Sequence, residues 1–192
     1  MKKILVIAAS PRRNGNSETL LDEAISALNG SRDGVKKIVL DDLTIAPCNG
    51  CHACFKTGRC VIKDDMQAFY KELLACETLV VASPIYFQGL PCQLKCVIDR
   101  CQALWSRKYI LKKKLVNDKI AKKRRAGAIL VAASTGAKNT FTGSIIVLKA
   151  WFKTMSIAYA DEMLVEGLEA KDEARGKRGL REKAFKFGAS LR

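Results

Sequence analysis

The feature that most constrains the fold is an alternation of short apolar runs with segments whose apolar residues recur at helical spacing. Five apolar runs predict buried β-strands, at residues 2–9, 35–40, 78–83, 127–133 and 158–165. Between them, helices are predicted at residues 18–29, 64–76, 91–105 and 140–155, with Asp64 or Asp65 placed to cap the second. Strands that alternate with helices in this way predict an α/β fold: a doubly wound, five-stranded parallel sheet with helices on both faces.

Polar loops follow three of the predicted strands, at residues 10–17, 84–89 and 134–139. In an open parallel sheet, ligands bind in the crevice outside the carboxyl ends of the strands. The three loops are therefore expected to converge on one ligand site.

The loop after the first strand has the parts of an anion-binding cradle. It reads Ser-Pro-Arg-Arg-Asn-Gly-Asn-Ser at residues 10–17, and a predicted helix follows. Pro11 and Gly15 favour a tight turn, and the helix start offers free N–H groups and a dipole that favours phosphate. The candidate binding residues here are Ser10, Arg12, Asn16, Ser17 and Thr19. The alternative is a well-capped polar turn that binds nothing.

Two motifs resemble those of the NAD(P)H-dependent FMN reductase family, a branch of the flavodoxin-like fold. The first is the loop at residues 10–17. The second is Ser-Pro-Ile-Tyr-Phe-Gln-Gly at residues 83–89, followed by Pro-Cys-Gln-Leu-Lys-Cys-Val-Ile-Asp-Arg at residues 91–100. The resemblance runs from about residue 2 to residue 155, and it implies that the first loop holds the phosphate of FMN. It also implies that the flavin ring lies between two sets of residues: Pro84, Ile85, Tyr86 and Phe87 on one side, and Ser134, Thr135 and Gly136 on the other.

The second loop is also chemically suited to a flat aromatic ligand. Pro84 stiffens it, Tyr86 and Phe87 offer aromatic faces, and backbone N–H groups are available to the pyrimidine edge of a flavin. The alternative is a strand end whose aromatic side chains pack into the core.

Four of the eight cysteines crowd into thirteen residues with the spacing C-x₂-C-x₂-C-x₅-C: Cys48, Cys51, Cys54 and Cys60. Soft thiolates select zinc or iron–sulfur clusters, and zinc sites usually join two short pairs across a longer loop. The compact run is more typical of a [4Fe–4S] cluster, although no Pro follows the fourth cysteine as in bacterial ferredoxins. It resembles the motif of the iron–sulfur flavoproteins, a subgroup of the same family, in which four cysteines bind one cluster close to FMN. Zinc and no metal are the alternatives, because relatives without a cluster have an ending like residues 58–66.

The other four cysteines, Cys76, Cys92, Cys96 and Cys101, are expected to be small buried hydrophobic residues. His52, the single histidine, is expected to have a surface or packing role, so no His-based triad is predicted. No side chain is predicted to be an essential acid or base, because the flavin carries the chemistry.

The net charge of +15 is concentrated between Arg100 and Arg125, where eleven Lys or Arg accompany one acid, Asp118. This segment is open to four interpretations: a solvated connection, a docking surface for an acidic redox protein such as ferredoxin, a phosphate-binding face for NADPH, or a nucleic-acid-binding surface. The last is least favoured, because no nucleic-acid-binding motif accompanies the charge.

Motifs and resemblance together predict an FMN-dependent oxidoreductase with a [4Fe–4S] cluster, which passes electrons from ferredoxin or NAD(P)H to an acceptor. The resemblance also implies assembly into a homo-oligomer, either a dimer or a tetramer. The alternatives are a cluster-free NAD(P)H:FMN or quinone reductase, and a non-catalytic flavin- or metal-sensing module that binds nucleic acid.

The 192 residues are expected to form one flavodoxin-like FMN-binding domain, 1–192, that includes the cysteine loop at 48–60 and a charged, helical tail at 167–192. No apolar run is long enough for a membrane-spanning helix, and the apolar start is too short for a signal peptide. A cytoplasmic location is therefore expected.

Overall fold

Five parallel strands form one sheet in the computed structural model, which describes residues 3–28 and 34–192. The strands are β1 (Lys3–Ala8), β2 (Gly34–Val39), β3 (Thr78–Pro84), β4 (Arg125–Val131) and β5 (Ala158–Val165). Their order, β2-β1-β3-β4-β5, is that of flavodoxin-like doubly wound sheets. The predicted fold class is confirmed, and each predicted strand ends within two residues of the observed one.

The α-helices alternate with the strands, and several short helical turns accompany them. In chain order they are α1 (Asn16–Leu28), α2 (Cys54–Thr57), α3 (Met66–Ala75), α4 (Cys92–Arg100), α5 (Gln102–Trp105), α6 (Asp118–Ala121), α7 (Thr142–Thr154), α8 (Glu173–Gly176) and α9 (Arg178–Ser190). The predicted helix at residues 91–105 is interrupted at Cys101, and a π-helical segment, Ser106–Ile110, follows α5. Lys2 and Asn29, at the ends of a predicted strand and a predicted helix, lie outside the described residues. No helix in the described part of the chain has the length and apolar character needed to cross a bilayer.

The start of α3 uses both candidate capping residues, but in different ways. Asp65 occupies the N-cap position without a side-chain capping bond, and its carboxylate accepts a hydrogen bond from the Thr44 N–H at 2.8 Å. Asp64 accepts a bond from the Met66 N–H at 3.1 Å. Asp64 therefore serves the helix start, while Asp65 ties it to the segment that precedes the cysteine loop.

Two apolar cores lie on opposite faces of the sheet, because successive strand residues point to opposite sides. One contains Leu5 and Val81 and is covered by α3, α4 and α7. The other contains Val6 and Val80 and is covered by α1 and α9. The three central strands are buried on both faces, which explains why their sequences are almost continuously apolar.

Arg124, in the basic segment before β4, is only 1% exposed. Its guanidinium donates hydrogen bonds to the carbonyl oxygens of Leu73, Cys76 and Met155, at the ends of α3 and α7. The last carbonyls of a helix have no intrahelical donor. Arg124 supplies those donors and so has a structural role rather than a place on a basic surface.

The charged tail is helical, as predicted, and packs on α1 of the same chain. At Gly188 of α9, a Cβ would lie 2.3 Å from the carbonyl oxygen of Ala24 in α1. Gly127 of β4 similarly leaves space that the side chains of Phe187 and Leu191 fill. The close approach of α9 to α1 and to the sheet therefore depends on two positions without a side chain.

Replacing Gly188 with alanine is expected to lower the free energy of unfolding by about 1–3 kcal/mol, because the added methyl group overlaps the α1 backbone. Gly179 is a matched control in the same helix, since no atom lies within 4 Å of a Cβ added there. Gly179→Ala should change stability by less than about 1 kcal/mol, in the stabilising direction. Urea denaturation followed by circular dichroism measures both variants, and equal midpoints would contradict the close packing.

Candidate functional site

A cleft of about 220 Å³ opens at the carboxyl ends of β1, β3 and β4. The loop after β1 and the loop after β3 supply most of its walls: Ser10, Arg12, Gly15, Asn16, Ser17, Pro84, Ile85 and Tyr86. This is the position at which doubly wound sheets bind ligands. The structure thus brings together candidate residues of the first two loops, and their binding role stays a prediction.

The loop after β1 is pre-shaped by its own hydrogen bonds. The Ser10 hydroxyl accepts a bond from the Arg12 N–H at 3.0 Å. The buried carboxylate of Glu18 accepts a bond from the Asn14 N–H at 2.7 Å and pairs with Lys37 at 2.8 Å. Burial alone would raise the pKa of Glu18, but the bonds from Lys37 and Asn14 lower it, so the carboxylate is charged at neutral pH.

The first turn of α1 provides the remaining donors at the cleft. Asn16 and Ser17 line it, and the backbone N–H groups of a first helical turn have no intrahelical acceptor. The positive end of the helix dipole also lies here. Arg12 is exposed beside this turn and donates to the Glu169 carbonyl at 3.1 Å. The arrangement is suited to a phosphate group.

The side chain of Asn16 holds the tail of the chain. Its amide nitrogen donates to the carbonyls of Leu168 (3.3 Å) and Ala170 (2.8 Å), and its amide oxygen accepts from the Ala174 N–H (3.0 Å). The amide nitrogen and the amide oxygen of Asn16 are thus both bonded to the tail. The backbone N–H of Asn16 is the group left to bind a ligand. As a result, Leu168 and Glu169 become part of the cleft wall. Sequence reasoning missed these two residues, because no local motif links residue 16 to a segment 150 positions later.

The loop after β3 forms a tight hairpin that exposes its aromatic residues. Tyr86 and Gly89 exchange two backbone hydrogen bonds, at 3.0 and 2.9 Å, and the two residues between them have positive φ. This geometry is that of a type I′ turn. Phe87 is fully exposed and Tyr86 is 46% exposed, so neither packs into the core.

The third predicted loop and Thr19 lie outside the walls of this cleft. Ser134, Thr135 and Gly136 are exposed, and the Gly136 N–H donates to the Glu166 carboxylate at 3.2 Å. Thr19 is half-buried in α1. Their assignment to a cofactor stays a prediction.

A second, larger cleft of about 660 Å³ is lined by all four cysteines of the loop at 48–60, together with residues of α4, α5 and α7. Cys48 and Cys51 are exposed, and Cys54 and Cys60 are half-buried. Four soft thiolates on one cleft are the donor set that iron–sulfur clusters require. Within the described residues, however, no three His, Cys, Asp or Glu side chains lie close enough together to hold a metal ion. The four thiols are therefore the right donors for a cluster, but in this structure their sulfur atoms are too far apart to bind one together.

One ion pair ties together the two ends of this cysteine loop. Arg100, buried in α4, donates to both carboxylate oxygens of Asp64, at 2.6 and 3.0 Å, and to the Ala46 carbonyl at 2.8 Å. Asp64 also accepts from the Ala46 N–H at 3.0 Å. Burial by itself would raise the pKa of Asp64, but its bonds to Arg100 and Ala46 lower it. The loop ends are thus fixed, whereas the residues between Cys48 and Ala53 lie in no helix or strand.

The remaining cysteines divide into two kinds. Cys76 and Cys101 are buried, as expected, and burial raises the pKa of the Cys101 thiol to about 12, so it stays protonated. Cys92 is exposed and Cys96 is half-buried, so the expectation of burial is wrong for Cys92. It fails because Cys92 begins α4 on a face that no other described element covers. His52 is exposed, with its ring 4.6 Å from that of Phe55, which agrees with a surface role.

The Lys and Arg side chains of the basic segment differ in their burial and in their partners. Arg100 and Arg124 are buried, and Lys108 donates to the carbonyls of Lys153 and Thr154 at the end of α7. Lys114 pairs with Asp118. Besides Lys114, five lysines are exposed on this stretch: Lys112, Lys113, Lys119, Lys122 and Lys123. The segment begins beside the cysteine loop, since a Cβ on Gly58 would lie 3.1 Å from the side chain of Arg107.

The chain resembles known proteins in both fold and sequence. An FMN-dependent NADH-azoreductase from Bacillus anthracis, solved in complex with FMN, superposes with a TM-score of 0.71 over 100% of this chain and 99% of that one, at 15% identity. An iron-sulfur flavoprotein of Archaeoglobus fulgidus is 31% identical over 150 residues, which cover 78% of this chain and 63% of the relative. Another, from Methanosarcina thermophila, is 33% identical over 113 residues, or 59% of each chain. The chain thus matches little more than half the length of these curated relatives.

The family model described as NADPH-dependent FMN reductase matches residues 2–161. This stretch contains the sheet from β1 into β5, the cysteine cleft, the basic segment and the cleft after β1 except for Leu168 and Glu169. The match therefore covers most of the candidate site, and the strand order agrees with it. The chain belongs to the NADPH-dependent FMN reductase family.

Proposed function

We propose that this protein is a flavin-dependent oxidoreductase that binds the phosphate of FMN in the cleft after β1. Family membership supports the cofactor, and the first turn of α1 supplies the anion-binding geometry. Bound FMN supplies one- and two-electron transfer chemistry. The residues of this chain bind and orient it: Arg12 and the N–H groups of Asn16 and Ser17 at the phosphate, and the exposed rings of Tyr86 and Phe87 beside the flavin. Ser10 shapes the loop, while Thr19 and residues 134–136 are proposed to complete the site.

We further propose that Cys48, Cys51, Cys54 and Cys60 hold a [4Fe–4S] cluster. The observation that carries this proposal is that all four thiols line one cleft while the ends of their loop are anchored by the Arg100–Asp64 pair. Relatives described as iron-sulfur flavoproteins support it. Because metal sites often form only when the metal binds, a loop with two exposed and two half-buried thiols is compatible with loading.

Helix α4 connects the two proposed cofactor sites. It begins directly after the hairpin that carries Tyr86 and Phe87, and its residues Lys95, Ile98 and Asp99 line the cysteine cleft. Nine helical residues span about 12–14 Å. A cluster in the cysteine cleft would therefore be separated from the flavin by no more than about the length of α4. Electron transfer between the two groups requires such a short distance.

The exposed lysines of the basic segment favour an acidic protein such as ferredoxin as the electron donor. NAD(P)H is the donor that membership of the family implies. The segment adjoins the cysteine loop rather than the cleft after β1. A protein docked there would therefore approach the cluster first.

A second candidate function is that of a cluster-free NAD(P)H-dependent flavin or quinone reductase. The observation that favours it is the absence, within residues 3–28 and 34–192, of a converged group of metal-binding side chains. In that case the cysteine loop has a structural role, and FMN alone accepts electrons from NAD(P)H.

Cofactor content decides between these candidates. Protein purified without oxygen is expected to contain FMN together with about four irons and four sulfides per chain. Cys54→Ala should lose most of the iron and keep FMN, because one of four cluster ligands is gone. Cys92→Ala is the matched control, since Cys92 is exposed and does not line the cysteine cleft. FMN without iron, even after reconstitution with iron and sulfide, would favour the cluster-free reductase.

Replacing Arg12 with alanine is expected to raise the Kd for FMN about tenfold to a hundredfold, because a charged donor to the phosphate is lost. Arg13→Ala is a neighbouring control: Arg13 pairs with Asp42 and does not line the cleft. Fluorescence titration of the apoprotein with FMN measures both constants. Equal Kd values for the two variants would contradict the proposed phosphate site.

Lys112→Glu combined with Lys113→Glu is expected to slow reduction by ferredoxin about tenfold at low ionic strength, with a smaller effect at high salt. Lys183→Glu combined with Lys186→Glu changes the charge equally on α9, far along the chain from the cysteine loop, and serves as the control. Stopped-flow absorbance measures the rates. The docking role would be excluded by equal rates in both double variants, or by a rate that does not depend on salt.

A further inference from the structure

The buried hydroxyl of Ser106 contacts the sulfur of Cys54. Ser106 is 0% exposed, and its Oγ lies 3.5 Å from the Cys54 Sγ. In the described part of the chain this sulfur is the hydrogen-bond partner of that hydroxyl. A buried hydroxyl costs free energy unless it is hydrogen-bonded, so the contact with the Cys54 sulfur stabilises the Ser106 hydroxyl in its buried position.

The backbone around Ser106 has an unusual geometry. Ser106 begins the π-helical segment Ser106–Ile110, in which the Leu111 N–H donates to the Ser106 carbonyl at 2.9 Å. Such segments are rare and occur often at functional sites. The wider turn follows directly on α5, and its backbone positions the Ser106 side chain.

Close packing fixes the cysteine side of the contact as well. Cys54 is the first residue of α2, and Gly58 ends that helix in a left-handed conformation, φ +70°. A Cβ on Gly58 would lie 3.1 Å from Arg107 and 3.2 Å from Leu111. The rings of Phe55 and Trp105 are also 6.3 Å apart. Helix α2 is therefore seated on the segment that carries Ser106.

Metal binding would decide which of the two groups donates this hydrogen bond. While Cys54 is a thiol, either the thiol or the hydroxyl can donate the proton. A thiolate ligand has no proton, so the hydroxyl becomes the donor, and a hydrogen bond to a charged acceptor is stronger than a neutral one. The same bond would stabilise a reduced cluster more than an oxidised one, because reduction adds negative charge that spreads onto the sulfur ligands.

We propose that the Ser106 hydroxyl is a built-in hydrogen-bond donor to Cys54 that raises the reduction potential of the cluster. The inference deepens the proposed function and rests on the presence of that cluster. Ser106 acts through Cys54 and is therefore a positioning residue. Among the described residues, no side-chain hydroxyl makes such a contact with Cys48, Cys51 or Cys60, whereas Cys60 interacts with the guanidinium of Arg100.

The test compares Ser106→Ala with Ser144→Ala. Ser144 is also 0% exposed, but its hydroxyl has no hydrogen-bond partner in the described residues and it does not line the cysteine cleft. Anaerobic titration with dithionite, followed by visible and electron paramagnetic resonance spectra, adds one electron per cluster and gives the potentials of cluster and flavin separately. Ser106→Ala should make the one-electron reduction about tenfold less favourable, or ~59 mV lower. Ser144→Ala should leave the cluster potential unchanged.

A second readout follows the proton itself. After exchange into D₂O, electron–nuclear double resonance of the reduced cluster should show a coupled deuteron in the wild type and in Ser144→Ala, and lose it in Ser106→Ala. Equal potentials and equal deuteron couplings in fully loaded Ser106→Ala and wild-type protein would overturn the inference and leave the proposed function intact. Wild-type protein without iron and sulfide would overturn both.

If Ser106→Ala assembles no cluster, Ser106→Thr decides, because threonine keeps the hydroxyl. A wild-type potential and deuteron coupling in that variant support the inference. A potential lowered without that coupling overturns it.

Discussion

The parallel pairing of β1 with β2 on one side and β3 on the other is the constraint on which the rest of the structure depends. The chain leaves β1 toward one face of the sheet and reaches the other face through α3. The loops after β1 and β3 are therefore neighbours, and a crevice opens between them. The start of α1 and the hairpin after β3 are placed by that arrangement, whereas Leu168 and Glu169 are held at the cleft by Asn16.

A second constraint is the way the protein holds an irregular loop against a regular sheet. The Arg100–Asp64 pair has almost no solvent contact, and a buried pair of this kind is stable only when its remaining hydrogen-bonding groups are satisfied. Backbone groups of Ala46 and Ile62, on either side of the cysteine loop, provide most of those bonds. The cost of burying the charges is thus offset by the same contacts that close the loop at its base. Above that base, Cys48 and Cys51 lie in no helix or strand, whereas Cys54 begins α2.

The sheet and its helices could be predicted from the sequence because they follow from local periodicity, and the first two loops because they follow strands. Contacts between distant residues could not be predicted in this way. Arg124 reads as part of a basic run, yet it is buried because it serves the ends of two helices. Cys92 reads as a core residue, yet it begins a helix on an uncovered face. The π-helical turn at Ser106 leaves no pattern in the sequence, and its packing against α2 joins segments that are distant in the chain.

The bonds made by the Asn16 side chain have a consequence for the order of events in the cell. They join the start of α1 to backbone groups 152 to 158 positions later in the chain. Ribosomes synthesise the first partner long before the second, so the wall formed by Leu168 and Glu169 is missing while most of the sheet is already available. The nascent chain therefore presents an incomplete cleft until the residues that bind the Asn16 side chain have been synthesised.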